Sequence, residues 1–286
     1  MHIRRDLTDI RRAILVVLDG VRPDAIDRYD LAHLRRLMNR GAATVAATTV
    51  APSMTTAALT SLLTGVSPTR HGIQSDRLFI PKCTSALSPL PAVLARHRLP
   101  SSGFLGRVPS VFRGIAARIG RTLGFANVHL GGTTASEILA RAESTIRTQR
   151  RGLIFLHWPD ADRAGHSDGW MSDAYGDGCQ RLDAALSSLA TLADVPADAH
   201  TLLVALADHG GGGTTPREHE SNHPLDTTIP LMMAGGGLLP SDLESASLLN
   251  VPPTILFSLG AEIPSSYEGR VLREAFTLES DQIAVA

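Results

Sequence analysis

The chain has 286 residues, of which 43% are hydrophobic and 19% are charged, so it is long enough for one large globular domain with a substantial core. Its formal net charge of −1 excludes a broad electrostatic attraction to nucleic-acid polymers or anionic membranes, and any affinity for phosphate must be local. The two cysteines, Cys83 and Cys179, fit neither a disulfide framework nor a zinc-ribbon spacing. We expect them to pack in the core of a protein from a reducing compartment.

The first twenty residues contain one short apolar run, Ala13 to Leu18. This run is too short for the core of a cleaved signal peptide and much too short to span a bilayer. We therefore expect a soluble, cytoplasmic protein without a membrane partner. The sequence does not specify an oligomeric state.

Nearly continuous apolar runs recur along the chain, and such runs are typical of strands buried on both faces of a sheet. They are AILVVL (13–18), ATVAA (43–47), GFLG (103–106), GLIFLHW (152–158), TLLVALA (201–207) and PLMMAG (230–235). Helical patterns lie between and after them: LAHLRRLM (31–38), TASEILARAESTIRTQR (134–150), DAYGDGCQRLDAALSSL (173–189) and VPPTILFSLG (251–260). This alternation predicts an α/β fold with a mostly parallel central sheet.

Residues 76–133 are the least regular part of the sequence, because proline, serine, glycine and arginine are frequent there. We interpret this segment as a small cap or insertion over the active face. No internal repeat or long linker divides the chain, so we expect residues 1–286 to form a single catalytic domain.

Acidic residues follow three of the predicted strands, and histidines follow two of them: Asp19; Asp160, Asp162 and His166; Asp208 and His209. A single aspartate at a strand end is most often a turn or helix-cap residue. However, the carboxyl ends of parallel strands meet at one edge of the sheet, where ligands gather in open α/β folds. A mixed set of aspartates and histidines at this edge predicts a site for divalent cations.

In the order of these segments, the chain resembles the alkaline phosphatase superfamily, and within it the type I phosphodiesterase/nucleotide pyrophosphatase branch. The resembling segments are Asp19 after the first strand, VAPSMTTAALTSLLTG (50–65), TGVSPTRHGI (64–73), DRAGH (162–166), DH (208–209), His219 and PPTILFSLGAEIP (252–264). The resemblance implies a three-layer α/β/α sandwich with a reduced cap. It also implies a hydrolase of small phosphorylated substrates, chiefly phosphodiesters, with monoesters, phosphonates or sulfate esters as side substrates.

The resemblance further implies two divalent metal ions, for which Zn²⁺ fits the mixed nitrogen and oxygen ligands and Mn²⁺ is the alternative. The implied ligands are, for the first ion, Asp19, Thr55, Asp208 and His209 and, for the second, Asp162, His166 and His219. Thr55 is also the implied nucleophile, because metal coordination makes its hydroxyl reactive, and it would carry a phosphothreonine intermediate.

Several neighbouring residues carry a hydroxyl group, so the nucleophile is identified by the residue spacing that is typical of the family. The family's proline precedes the nucleophile by three residues, and a Thr-Gly pair begins nine residues after it. Both counts select Thr55 over Thr56 and Ser53. Many family phosphodiesterases carry a phosphoryl-contacting asparagine three residues after the nucleophile, where this chain has Ala58. At this substrate-side position, we expect backbone, another side chain or the metal ions to take over the contact.

The family spacing also selects two of the metal ligands where a nearby residue of the same type is an alternative. The four-residue step to His166 selects Asp162 and leaves Asp160 as a supporting or loop residue. The distance to the Ile-Pro pair at 229–230 selects His219 and leaves His223 as a substrate-side residue, or as the alternative ligand.

Two other functions stay open on sequence grounds. A phosphonoacetate-type hydrolase, which cleaves a C–P bond, belongs to the same superfamily. A protein that binds metal and a phosphorylated ligand without turnover belongs to a different class. The intact set of Thr55 and six further ligands favours an enzyme.

Overall fold

The computed structural model describes residues 9–74, 87–106, 113–236 and 238–276. The strands are β1 (Arg12–Leu18), β2 (Ala42–Thr48), β3 (Ser101–Leu105), β4 (Asn127–Leu130), β5 (Gly152–Trp158), β6 (Thr201–Leu206), β7 (Thr228–Gly235) and β8 (Ser241–Asp242). The helices are α1 (Ala25–Arg28), α2 (Ala32–Met38), α3 (Thr55–Thr64), α4 (Pro68–His71), α5 (Leu90–Arg96), α6 (Arg113–Thr122), α7 (Ala135–Thr148), α8 (Asp160–Asp168), α9 (Asp173–Ala193), α10 (Pro224–Thr227) and α11 (Val251–Ser258). Short 3₁₀ helices cover Leu248–Asn250 and Arg273–Ala275.

The strands form one sheet in the order β4-β3-β5-β1-β6-β7-β2-β8. Neighbouring strands pair in parallel except at β7, which is antiparallel to both β6 and β2. Helices α2, α7 and α8 pack against α9, whereas α4, α5 and α11 pack against α3. The predicted three-layer α/β/α sandwich with a mostly parallel sheet is confirmed.

Strand β1 lies in the middle of the sheet because its side chains are apolar on both faces. Residues 13–17 are completely buried between β5 and β6. Removing apolar surface from water contributes roughly 25 cal/mol per Å², so a strand of this composition is most stable at the centre. Asp19 follows β1 directly, and this central position therefore carries its carboxylate to the middle of the carboxyl edge.

The described parts of the segment 76–133 contribute two strands to the central sheet, and a cap role for other parts of the segment stays a prediction. Strand β3 pairs with β5, and β4 pairs with β3 at the edge of the sheet. The apolar run GFLG (103–106) predicted β3, whereas β4 was not predicted, because NVHL is short and half exposed. Residues 76–86 and 107–112, which the predicted cap also includes, lie outside the described residues.

Helix α8 was not predicted, although it carries the DRAGH segment. Its buried residues are Asp160, Ala161 and Gly165, so it has no apolar stripe for sequence periodicity to detect. The helix is instead defined by its packing against α9. It places the side chains that follow β5 at the carboxyl edge of the sheet.

Cys179 is completely buried in α9, as expected of a core residue, and burial raises the pKa of its thiol. Cys83 lies outside the described residues. Among the residues described, no helix is both long enough and apolar enough to cross a membrane.

His71 is a buried histidine that links α4 to α3. Its Nε2 lies 2.9 Å from Ser61 Oγ, and its Nδ1 accepts the backbone N–H of Ile73 at 3.1 Å. Because Nδ1 is an acceptor, the neutral ring donates from Nε2 to the Ser61 hydroxyl. Burial lowers the pKa of His71 to about 4.

We expect His71 to reduce stability as the pH falls from about 6.5 towards about 4, because the unfolded chain takes up a proton there that the folded chain excludes. The effect reaches up to roughly 3 kcal/mol in the free energy of unfolding. His71→Gln removes it, so the advantage of the wild type at pH 7 should shrink by that amount at pH 4. Urea unfolding of metal-free samples at both pH values measures the difference, and a constant difference would contradict this role of His71.

Candidate active site

A cluster of carboxylates, histidines and one threonine lies at the carboxyl edge of the sheet, where β1, β5 and β6 end. The structure brings together the seven predicted metal ligands: Asp19, Thr55, Asp162, His166, Asp208, His209 and His219. They come from the ends of β1 and β6, from α3 and α8, and from the loop that precedes α10. Their association depends on the tertiary fold, because no contiguous stretch of sequence contains them.

The ligand atoms of Asp19, Asp208 and His209 lie within 4.8 Å of one another and form the first group. His209 Nε2 is 3.3 Å from Asp19 Oδ1 and 3.7 Å from Asp208 Oδ2. Thr55 Oγ1 lies 3.0 Å from the same nitrogen. His209 Nδ1 lies 2.8 Å from the carbonyl oxygen of Gly210, to which it donates, so Nε2 presents its lone pair to the group.

Asp162, His166 and His219 form the second group. His166 Nε2 is 3.4 Å from Asp162 Oδ1, His219 Nε2 is 3.7 Å from the same oxygen, and the two nitrogens are 3.2 Å apart. Each histidine donates from Nδ1 to a backbone carbonyl: His166 to Arg217 at 2.8 Å and His219 to Ser53 at 2.6 Å. These bonds orient both Nε2 atoms towards the carboxylate, which is how histidine ligands are usually held.

The two groups adjoin through His209. Its ring stacks on that of His219, with a centroid distance of 3.7 Å and an interplanar angle of 7°. His209 Nε2 also lies 4.0 Å from Asp162 Oδ1, and the ligand atoms of these three residues lie within 4.8 Å of one another. Adjacent ligand groups of this kind are what a site for two neighbouring ions requires.

The donor set fits divalent cations. Asp208 is completely buried, and its Oδ2 accepts no hydrogen bond from any described residue. An ionised carboxylate oxygen that is buried without a partner is strongly unfavourable, and a cation offsets this cost. Mixed carboxylate and imidazole donors suit Zn²⁺, and Mn²⁺ accepts the same atoms.

The charges in the cluster shift the proton affinities of its members. The contact with Asp162 raises the pKa of His166 to about 9. Burial lowers the pKa of His219, and the nearby charge of His209 lowers it further. Burial by itself raises the pKa of Asp162, but the contact with His166 and the electrostatic influence of the neighbouring imidazoles outweigh it, and the net direction is downward. A histidine must lose its proton to bind a metal, so binding of an ion to His166 near neutral pH would displace a proton.

Thr55 is the first residue of α3, but its hydroxyl does not cap the helix. Met54 occupies the N-cap position, and no side chain makes a capping hydrogen bond there. The hydroxyl contacts His209 instead, while the neighbouring Thr56 is exposed to solvent. Ala58 is completely buried in α3, so its side chain offers no surface to a substrate.

Asp160 and His223, which the family spacing did not select as ligands, lie outside the cluster. Asp160 Oδ2 accepts the backbone N–H of Ala135 at 2.7 Å, at the start of α7, and Oδ1 lies 3.4 Å from Arg181 Nε. His223 is exposed, caps the short helix α10 through the backbone N–H of Leu225, and belongs to neither group of ligand atoms found among the described residues. The substrate-side role of His223 stays a prediction.

Gly20 allows α8 to approach the end of β1. Its φ is +72°, and a Cβ at this position would lie 2.9 Å from Asp162 Cα. The backbone N–H of Asp162 donates to the Asp19 carbonyl at 3.0 Å, and Trp170 Nε1 donates to the Gly20 carbonyl at 2.9 Å. Any larger residue would push Asp162 away from the cluster, which explains the Asp-Gly pair after the first strand.

His157 is a polar residue of the cluster region that sequence analysis missed. It lies in β5, its Nε2 is 2.9 Å from Asp19 Oδ2, and burial lowers its pKa. The sequence signal was a histidine inside the otherwise apolar run GLIFLHW.

The sequence of the chain matches a family model described as type I phosphodiesterase / nucleotide pyrophosphatase over residues 13–88 and 107–254. The matched ranges contain all seven clustered residues. None of the curated protein sequences matches the chain significantly.

Solved structures share the fold. Murine ectonucleotide pyrophosphatase / phosphodiesterase 5, an inactive variant in complex with AMP, has a TM-score of 0.75 and 13% identity, over 93% of this chain and 100% of that chain. The lipoteichoic acid synthase LtaP from Listeria monocytogenes has a TM-score of 0.67 and 14% identity, over 93% and 76%. A phosphonate monoester hydrolase from Silicibacter pomeroyi has a TM-score of 0.66 and 16% identity, over 93% and 76%. At these identities the likeness shows the fold, and the predicted alkaline-phosphatase-like architecture is confirmed.

Proposed function

Because the chain belongs to the type I phosphodiesterase / nucleotide pyrophosphatase family, we propose that it is a two-metal phosphodiester hydrolase with Thr55 as its nucleophile. The observation that carries the proposal is the position of the Thr55 hydroxyl. Its Oγ1 lies 3.0 Å from His209 Nε2, an atom of the first ligand group that also lies 4.0 Å from Asp162 Oδ1 of the second group. A hydroxyl with only a structural role would not need to lie among candidate metal ligands.

Bound divalent ions, Zn²⁺ or Mn²⁺, would supply the positive charge that lowers the pKa of the Thr55 hydroxyl and neutralises phosphoryl oxygens. The proposed ligands of one ion are Asp19, Thr55, Asp208 and His209, and those of the other are Asp162, His166 and His219. These ligands are held in place from the protein side by backbone carbonyls that accept from the Nδ1 atoms of the three histidines.

The N-terminus of α3 supports binding of the phosphoryl group. No side chain at the N-cap satisfies the backbone N–H groups of its first turn. Such N–H groups bind anions well, and the helix dipole adds positive charge at this end. This supports the expectation that backbone donors replace the asparagine that many family phosphodiesterases carry at the position of Ala58.

The proposed reaction has two displacements at phosphorus. Thr55 Oγ1 loses its proton and forms a bond to phosphorus, while the bond from phosphorus to one ester oxygen breaks and an alcohol leaves. A water molecule then cleaves the phosphothreonine, which restores the hydroxyl and releases a phosphate monoester. The chain's contribution is to orient Oγ1 and to hold the carboxylates and imidazoles around it.

A substrate panel tests the reaction class on metal-reconstituted protein. Its members are a small aryl phosphodiester, a dinucleotide, a phosphomonoester, phosphonoacetate and a sulfate ester, each compared as kcat/KM. Because Ala58 contributes no polar group near the nucleophile, we expect the aryl phosphodiester to be the best substrate. A strong preference for the dinucleotide would contradict an open, permissive site. Turnover of phosphonoacetate without turnover of diesters would replace the proposal with a C–P hydrolase.

Metal content is expected to follow from the two ligand groups. Elemental mass spectrometry of purified protein should find up to two divalent ions per chain. A chelator should abolish hydrolysis, and Zn²⁺ or Mn²⁺ should restore it, because the proposed activation of the Thr55 hydroxyl depends on bound divalent ions. Full activity in chelated protein would contradict the two-metal proposal.

A further inference from the structure

A buried histidine lies directly behind the first group of candidate ligands. The side chain of His157 is 12% exposed, and its Nε2 lies 2.9 Å from Asp19 Oδ2. Apart from Gly152, which has no side chain, the other residues of β5 are apolar. A polar group buried in a strand is unfavourable unless it has a partner. A histidine at this position therefore calls for an explanation beyond packing.

The register of the sheet places His157 beneath Asp19. In the parallel pair of β1 and β5, His157 lies opposite Val17. Side chains alternate between the two faces of a strand, so those of His157, Val17 and Asp19 are on the same face. His157 is thus two residues further from the carboxyl edge of the sheet than Asp19 is.

The two oxygens of Asp19 have different neighbours. Oδ1 lies 3.3 Å from His209 Nε2, within the first ligand group, whereas Oδ2 lies 2.9 Å from His157 Nε2. His157 is absent from both groups of ligand atoms identified in the described part of the chain. Because its Nε2 contacts Oδ2 of Asp19, whereas Oδ1 lies towards His209, we place His157 behind a ligand.

We propose that His157 is a positioning residue for the metal site: by holding Oδ2 of Asp19, it presents Oδ1 to the first ion. The inference rests on the two-metal site proposed above. The distance suits a hydrogen bond, although Nε2 makes no aligned hydrogen bond with any described residue. We expect the bond to align when a cation holds the carboxylate at Oδ1.

We expect this contact to restrict the ways in which the Asp19 carboxylate can bind the ion. A carboxylate with two free oxygens binds a cation through one or both of them. Engaging Oδ2 from behind leaves one oxygen for the ion and removes rotational freedom of the side chain. Partners of this kind, one step behind a ligand, typically contribute 10- to 100-fold in metal affinity.

The test compares His157→Leu, which has no donor, with His157→Gln, whose amide N–H replaces the imidazole donor. Phe155→Leu is the matched control, because it alters a buried residue on the same face of the same strand, one pleat further from Asp19. Competition with a chromophoric chelator measures the Zn²⁺ affinity of both sites in each variant. The Tm of chelated protein shows independently whether each variant is folded.

We expect His157→Leu to weaken one of the two Zn²⁺ sites by about 10- to 100-fold, to leave the other within a few-fold, and to keep the Tm of the chelated protein. His157→Gln should recover most of the lost affinity. Phe155→Leu should lower the Tm and leave both affinities unchanged.

Three results would overturn the inference. Wild-type affinity of His157→Leu at both sites would show that the residue does not act on the metal. Equal loss in the leucine and glutamine variants would show that the donor is irrelevant. A wild-type chain that binds no Zn²⁺ would overturn the two-metal proposal itself, and with it this inference.

Discussion

Replacing Thr55 with alanine should abolish turnover and leave the fold almost intact. Without Oγ1 there is no atom to attack phosphorus, and we expect kcat to fall by about 10³-fold or more. The residue does not cap α3, so the free energy of unfolding of the metal-free protein should change by less than about 1 kcal/mol. Measurements of kcat and Tm on the same preparation separate the two effects.

Two variants control for the position of the hydroxyl. Thr55→Ser retains the oxygen and should keep substantial activity. Thr56→Ala alters the adjacent, solvent-exposed hydroxyl and should be nearly neutral in rate. Wild-type protein that is acid-quenched during turnover and then digested should carry its phosphoryl group on the peptide that contains Thr55. Robust hydrolysis by Thr55→Ala would assign the attack to another group, most simply a water molecule.

Replacing His219 with alanine should remove one ion and lower activity by orders of magnitude. The His219 ring is 3% exposed, stacks on His209, and directs Nε2 towards Asp162. Its loss leaves the second group with one carboxylate and one exposed imidazole, which is too few ligands for a stable site. Elemental analysis should find about one ion less per chain than in the wild type.

His223→Ala is the matched comparison, because this histidine is only four residues further along the chain. His223 is exposed, and its Nδ1 accepts from the backbone of α10, so we expect the metal content to be unchanged and any effect to be on KM. If His223→Ala lost the ion and His219→Ala did not, the assignment of the final histidine ligand would be wrong.

The sequence by itself determined most of the strands and the candidate ligands that follow them. Six apolar runs predicted six strands that the structure contains. The signal is strongest for central strands such as β1 and β6, which are buried along their whole length and are therefore apolar on both faces. The spacing of the family, in turn, selected Asp162 and His219, which the structure places in the cluster, over neighbours that it places outside. Both kinds of signal are local, since they depend on residues a few positions apart.

The tertiary structure decided what depends on contacts between distant parts of the chain. The antiparallel direction of β7 and the edge strand β4 follow from pairing partners, which a single run of residues does not encode. Helix α8 is stabilised by its packing on α9, because the DRAGH segment has no apolar periodicity of its own. The positive φ of Gly20 became interpretable once α8 was seen against the end of β1.

His157 is an example, within the site, of a contact that sequence analysis does not predict. In the sequence it is one histidine in an apolar run, 138 positions from Asp19 (157 − 19), and the parallel register of β5 on β1 brings the two together. A hydrogen-bonding partner is selected by distance and direction in space, and neither quantity has a counterpart in sequence spacing when the residues belong to different strands. The sequence therefore identified the candidate metal ligands, while the packing of the sheet decided how their side chains are held.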